Sequence, residues 1–490
     1  MADATTVIAM GIAVAVGAPL AGAALAGTGA GTDHPRRLST ASLVTSLAGA
    51  VAAAWAWTTC ESCNPGWAWE AGPGTPGTAL LRFDALTAVL LPYALAISLV
   101  TALAVPRRDI AAPSARRSLV GSALTAALLL SANPGALVVL WAATALAGWW
   151  SIRAAPEGRG AARAYATCML PAVALMAAGT WLMAGGAGDG ARSAGAWMLA
   201  VAVMVRKGIV PFHAWYPAVF EGAPVSSALG ITMPQVAAYT AVRLLIGHVG
   251  DAVPPQLEFL AAASLLTCVY GAALAVVQPN VRGLVGTLAM SQSALVLAGL
   301  AGTRAEELCG AIAVWVSSGV VLTGIALVAR SLEARAGALS LEAPQGRFAD
   351  APGLAACFLI LGLAGAGLPG TFSFVADDLI VSGSLDHHVG AGLMVIASTV
   401  LSAIALLRGW FRLFGGPPAS GPRHPVLPRE AAAFAALLAV TFAIGTYPAP
   451  FVRASERIAA SIAPDAEGAS GHAPHPATPD HGPTTGETRP

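Results

Sequence analysis

Residues 194–215 read AGAWMLAVAVMVRKGIVPFHAW, an apolar run interrupted by Arg206 and Lys207 and then by Gly208 and Pro211. Lys207 is the single lysine among 26 basic side chains, all the others being arginine. A charge at membrane depth costs roughly 2.5–3.5 kcal/mol on insertion scales. Lysine, unlike arginine, can shed its proton when desolvated. A lysine kept at this depth in a chain so biased to arginine therefore points to proton chemistry. Helix breakers at depth are tolerated where they line a buried or hydrated cavity, and transporters use such breaks as ion sites. His213, just past the break, is a candidate for proton hand-off or for a hydrogen bond to loosened backbone.

Working outward, hydrophobic residues make up 56% of the chain and charged residues 10%, which identifies an integral membrane protein. Apolar stretches of spanning length number about fourteen, running from 7–27 and 41–58 near the start, through 195–211, 224–247 and 352–384, to 429–449. The expected fold class is an all-α membrane protein. Basic residues favour cytoplasmic loops, and alternate loops are rich in arginine (Arg107, Arg108, Arg116, Arg117, Arg153, Arg159, Arg163) or poor in it (Arg82, Arg192, Arg304). This alternation predicts a multi-pass protein of the inner (plasma) membrane with both termini outside. The expected organisation is an N-terminal pair of helices with an outer loop (1–80), two central regions (81–250 and 251–416), a C-terminal helix (417–452) and a disordered tail (453–490). The tail is rich in Pro, Gly, Thr and His, too polar to build a core.

Three further places put polar groups at depth. Glu221-Gly222-Ala223-Pro224 leads into a span carrying Gln235, Tyr239 and Arg243, four residues apart and so on one helical face. Those three can line a path, although Arg243, always charged, suits a structural anchor for a carboxylate better. Gly367-Leu368-Pro369-Gly370 breaks a second span ahead of Asp377 and Asp378. Neighbours on a helix point about 100° apart, so at most one of these acids faces a path; both otherwise mark the end of a shortened helix. Ser291-Gln292-Ser293 offers hydrogen-bonding groups to a water file or to its own backbone. Cys60 and Cys63, in the outer loop, suit a local disulfide or two ordinary thiols better than a cofactor site, since no second pair completes a zinc site.

The combination of Pro-Phe-His-Ala-Trp (211–215), Glu-Gly-Ala-Pro-Val-Ser-Ser (221–227), Ala-Tyr-Thr-Ala-Val-Arg (238–243) and Pro-Asn-Val-Arg-Gly-Leu-Val-Gly-Thr-Leu-Ala-Met-Ser-Gln (279–292) resembles the proton-conducting antiporter-like subunits. These are the large membrane subunits of NADH-quinone oxidoreductase (complex I), shared with multisubunit cation/proton antiporters and membrane hydrogenases. The resemblance spans about residues 80–415. It implies about fourteen helices, two inverted five-helix repeats with helices 7 and 12 broken, and a polar axis along the membrane midplane. The family's seventh-helix lysine falls on Arg206, with Lys207 one residue later and chemically better suited. Its eighth-helix lysine falls on Gln235. Its fifth-helix Trp-Glu pair reads Trp141-Ala142, its eleventh-helix base falls within Val316–Val320, where neither His nor Lys stands, and its twelfth-helix position is Asp377. The implied proton path is therefore Lys207 or Arg206, His213, Gln235 and Asp377, supported by Glu221, Tyr239, Arg243 and Asp378.

No four-cysteine cluster occurs, and no Gly-x-Gly-x-x-Gly opens a helix after a strand, so no cofactor is expected in this chain. Any oxidoreductase activity would belong to an assembly in which this chain is the ion-translocating arm. The expected partners are the lipid bilayer and other membrane subunits of a respiratory, hydrogenase or inorganic-carbon-uptake complex; a non-pumping scaffold is a further reading. Net charge of +1 argues against nucleic acid.

Overall fold

The computed structural model describes residues 4–60, 63, 66–70, 79–185, 188–246, 254–302, 304–385, 388–418 and 425–462. The chain opens with α1 (Ala4–Leu25), α2 (Gly29–Asp33) and α3 (Pro35–Thr59), then an antiparallel hairpin of β1 (Gly66–Glu70) and β2 (Ala79–Asp84). Next come α4 (Ala85–Ala104), α5 (Ala112–Leu130), α6 (Pro134–Arg153), α7 (Arg159–Ala184) and α8 (Asp189–Lys207). Three short helices follow, α9 (Trp215–Gly222), α10 (Val225–Thr232) and α11 (Val236–Leu244). The remainder comprises α12 (Pro254–Val277), α13 (Val281–Ala301), α14 (Ala305–Ala336), α15 (Pro352–Gly365), α16 (Phe372–Leu385), α17 (Val389–Phe414), α18 (Pro428–Thr446) and α19 (Ala449–Ile462).

Ten of the described helices are long and apolar enough to cross a membrane. Each of the other four apolar stretches also holds helix but is charged or split: α5, α8, the pair α10 and α11, and the pair α15 and α16. Local signals start the long helices. Pro134 and Pro352 stand in the first turn, where a missing N–H costs nothing. Asn133 accepts from the Gly135 and Ala136 amides, Asp84 from Thr87 N and Asn280 from Gly283 N. α13 and α14 are buried along almost their whole length and form the centre of the molecule. α7, α12 and α17 instead present apolar side chains outward, among them Leu170, Trp181, Phe259, Leu266, Val400 and Phe411, as lipid-facing helices do.

Three arginines near the ends of α13 and α14 are ion-paired. Arg330 meets Asp109 at 2.7 Å and Glu333 at 3.4 Å, Arg282 meets Glu333 at 2.7 Å, and Arg335 meets Glu430 at 2.6 Å, tying α14 to α13, α18 and the segment between α4 and α5.

The expected helical membrane fold is observed, the β1–β2 hairpin being the one pair of strands among the described residues. Two finer expectations need correction. The tail expected over 453–490 does not begin at 453, because residues 453–462 belong to α19, an amphipathic helix whose Ser455, Ile458 and Ala459 are buried; its alternation of Arg453, Glu456 and Arg457 with apolar residues is that of a half-buried helix, and 463–490 lie outside the described residues. The tail histidines lie outside the described residues. The span expected at 224–247 is split in two. Cys60 and Cys63 are joined in a disulfide.

Candidate functional site: a base and an acid at two helix breaks

α8 ends on Gly208, which takes a left-handed conformation (φ 69°) that glycine adopts without strain. Residues 209–214 leave the helix, and the freed backbone is claimed by side chains. The Trp215 indole N–H donates to Val205 O at 2.8 Å, and Val210 N donates to Thr267 Oγ1 of α12 at 3.1 Å. Lys207, the last residue of α8, is 2% exposed. Its ammonium donates to Gln235 Oε1, and its carbonyl accepts from Ser293 Oγ at 3.4 Å.

Gln235 sits at a break that the hydrophobic pattern does not announce. α10 stops at Thr232 and α11 starts at Val236, with Gln235 at φ 47° and ψ 47° between them. That region is costly for a residue with a Cβ. Pro234 is the available sequence signal, since proline removes a donor and biases its predecessor away from helix. Gln235 therefore does not share a helical face with Tyr239 and Arg243, and its side chain turns to Lys207 instead. The carbonyl freed at Met233 is met by the Tyr93 hydroxyl of α4 at 3.1 Å, and the same hydroxyl lies 3.4 Å from Trp315 O on α14. Gly319 makes this possible: a Cβ there would fall 1.6 Å from the Tyr93 oxygen. Tyr93 carries no motif that sequence reasoning could have used.

Arg206 points elsewhere. Its guanidinium donates to Trp141 O and Thr144 Oγ1, both at 2.7 Å, and lies 4.5 Å from the Trp141 ring centroid. Tyr239 donates its hydroxyl to Leu129 O at 2.7 Å. Arg243 forms two hydrogen bonds to Asp84, at 2.6 and 2.9 Å, so its carboxylate partner is the cap of α4.

His213 and Glu221 are not brought to Lys207. His213 is half-buried beside an outward-facing Tyr270, with Nε2 3.4 Å from the phenol oxygen. Glu221 is exposed and accepts from Asn280 at 3.2 Å. Proximity in sequence to a break says nothing of depth, because the loop 209–214 runs outward from it.

The second break, between α15 and α16, places Asp377 on the second turn of α16. Asp377 is half-buried and lines a cavity of about 20 Å³ with Gln292, Ser317, Ser318, Ser373 and Ser402. Asp378 points outward and is exposed, as the 100° offset requires. α13 stands between base and acid: Ser293 touches Lys207, Ser291 donates to Cys268 O at 2.7 Å, and Gln292 lines the Asp377 cavity.

Residues 163–404 match the family model described as NADH:quinone oxidoreductase/Mrp antiporter, TM. The chain is a homologue of the antiporter-like membrane subunits. One relative is NADH-quinone oxidoreductase subunit M of Mycobacterium tuberculosis, 26% identical over 253 residues, covering 51% of this chain and 46% of that protein; this antiporter-like chain thus spans about half the length of the curated relatives it matches. Two solved structures share its fold. A chain of respiratory complex I from Thermus thermophilus superposes with a TM-score of 0.80 at 22% identity, covering 92% of this chain and 99% of that one. A chain of the Mrp complex from a Dietzia species gives 0.82 at 19%, covering 95% and 99%.

Proposed function

We propose that this chain is the proton-translocating arm of a multisubunit membrane complex of the NADH-quinone oxidoreductase type, with redox chemistry carried by partner subunits. One observation carries the reading: the chain's single lysine is buried at a helix break, without a carboxylate among the described residues, and is held by a glutamine that itself sits at a break. A lysine there can take and release a proton; Arg206 cannot, because a guanidinium stays charged. Gln235 cannot carry a proton but orients the amine. The path then crosses the hydroxyl and amide groups of α13 to Asp377, a carboxylate able to be neutral or charged. Regions 81–250 and 251–416 would be two inverted repeats, the first broken after Lys207 and again at Gln235 and the second between α15 and α16, and both termini would face outside.

The test is proton uptake by inverted membrane vesicles driven by the native complex. Lys207→Ala abolishes uptake while leaving the assembled complex recoverable; normal uptake in that variant refutes the assignment. A non-pumping, structurally retained subunit is the second reading, favoured by Ala142 and Gln235 at positions where the family carries a glutamate and a lysine. An inorganic-carbon-uptake complex would be recognised by what co-purifies with the tagged chain.

A further inference from the structure

The uncompensated charge of Arg206 leads to a different site. A cavity of about 60 Å³ lies between α4, α5, α6, α8 and α10. It reaches from Arg117, near the start of α5, inward to Arg206, and its walls carry the hydroxyls of Thr101, Ser122, Thr125 and Thr144. No carboxylate is among its described lining residues, and neither arginine forms an ion pair with a described residue. Arg206 is 8% exposed, and its two hydrogen-bond acceptors are neutral. A buried guanidinium left without a counter-charge is strongly disfavoured. Thr101 is 5% exposed, and its hydroxyl has no hydrogen-bond partner among the described residues. Arg117 lies 5.9 Å from the Trp150 ring centroid, an interaction that fixes the side chain but neutralises nothing.

We propose that this cavity binds one small inorganic monoanion, of chloride or bicarbonate size. Two guanidinium groups and the unpartnered Thr101 hydroxyl can donate to such an anion, whereas the Ser122 and Thr144 hydroxyls already donate within the protein, and no acid among the described lining residues opposes it. The volume exceeds what one water requires and suits an anion of a few atoms. Bound there, the anion neutralises Arg206 one residue from Lys207, so occupancy would bias the charge state of the base. The site itself does not depend on the proton-translocation reading.

The experiment is chloride NMR linewidth on the full chain in lipid nanodiscs, titrated in a gluconate background. Saturable broadening is expected. It is lost in Thr101→Val, which keeps shape and removes the donor, and in Arg117→Gln, and it is kept in Arg116→Gln, an exposed neighbour outside the cavity. Each variant is first shown to elute and melt as the parent does in gluconate; if Arg117→Gln fails that check, Thr101→Val decides. Added bicarbonate that narrows the line shows a site shared with the oxyanion, and an unchanged line shows a halide site. Broadening that does not saturate, or that survives in Thr101→Val, overturns the proposal.

Discussion

The two helix breaks use opposite designs. At the first, the Lys207 amine is held by Gln235, the freed carbonyls of Val205 and Met233 are claimed by Trp215 and Tyr93, and the room beside the amine is about 10 Å³. A water needs about 10–15 Å³, so this base is packed in nearly dry surroundings. At the second, Asp377 shares a cavity of about 20 Å³ with Ser373 and Ser402, whose buried hydroxyls have no partner among the described residues. The acid is therefore loose and has room for water, while the base is held. The more deeply buried charge is the one that is held, and the half-buried acid is the one left room to exchange with water.

The largest effect that can break this contrast is at Lys207. Lys207→Arg keeps a positive charge but cannot release its proton, and proton-coupled activity should fall to background; full activity would remove deprotonation from the mechanism. Asp377→Asn comes next, lowering coupled proton uptake severalfold without loss of assembly. Trp215→Phe sharpens the packing half of the comparison: it removes one of two donors to the buried Val205 carbonyl, the Gly208 amide at 3.2 Å remaining, a net loss of about 0.5–1.5 kcal/mol that should lower the thermal unfolding midpoint of the detergent-solubilised chain. Ser373→Ala, at the loose break, should shift the same midpoint far less. The smallest change is expected for Asp378→Asn, whose side chain points outward, with uptake close to that of the parent; equal damage from Asp377→Asn and Asp378→Asn would move the acidic site off the path.

Much of this architecture is legible in the sequence because burial in lipid leaves a one-dimensional mark. Each of the apolar stretches coincides with a helix or a helix pair, and glycine and proline announce the breaks near 208 and 367. The break at Gln235 is hidden, since a lone Pro234 inside an apolar run also suits a kinked but continuous helix. α19 is hidden for the converse reason: only one of its faces is apolar, so it lacks the continuous hydrophobicity that marks a span. At the site, Lys207, Gln235 and Asp377 are identifiable by residue type and motif. Tyr93 and Thr144 are not, because their roles come from contacts made 140 and 62 residues away. His213 and Glu221 show the opposite error, in which motif membership stands in for position in space.

The single phenol of Tyr93 has a mechanical consequence. It touches the backbone beside Gln235 and the backbone of α14 at once, through one oxygen seated over Gly319. If the 233–235 link moves when Lys207 changes its grip, that oxygen must follow or let go, and in either case α14 registers the event one turn ahead of Ser318, which lines the acid's cavity. The two halves are then geared together by a tooth and a notch, with no charge needed to carry the message.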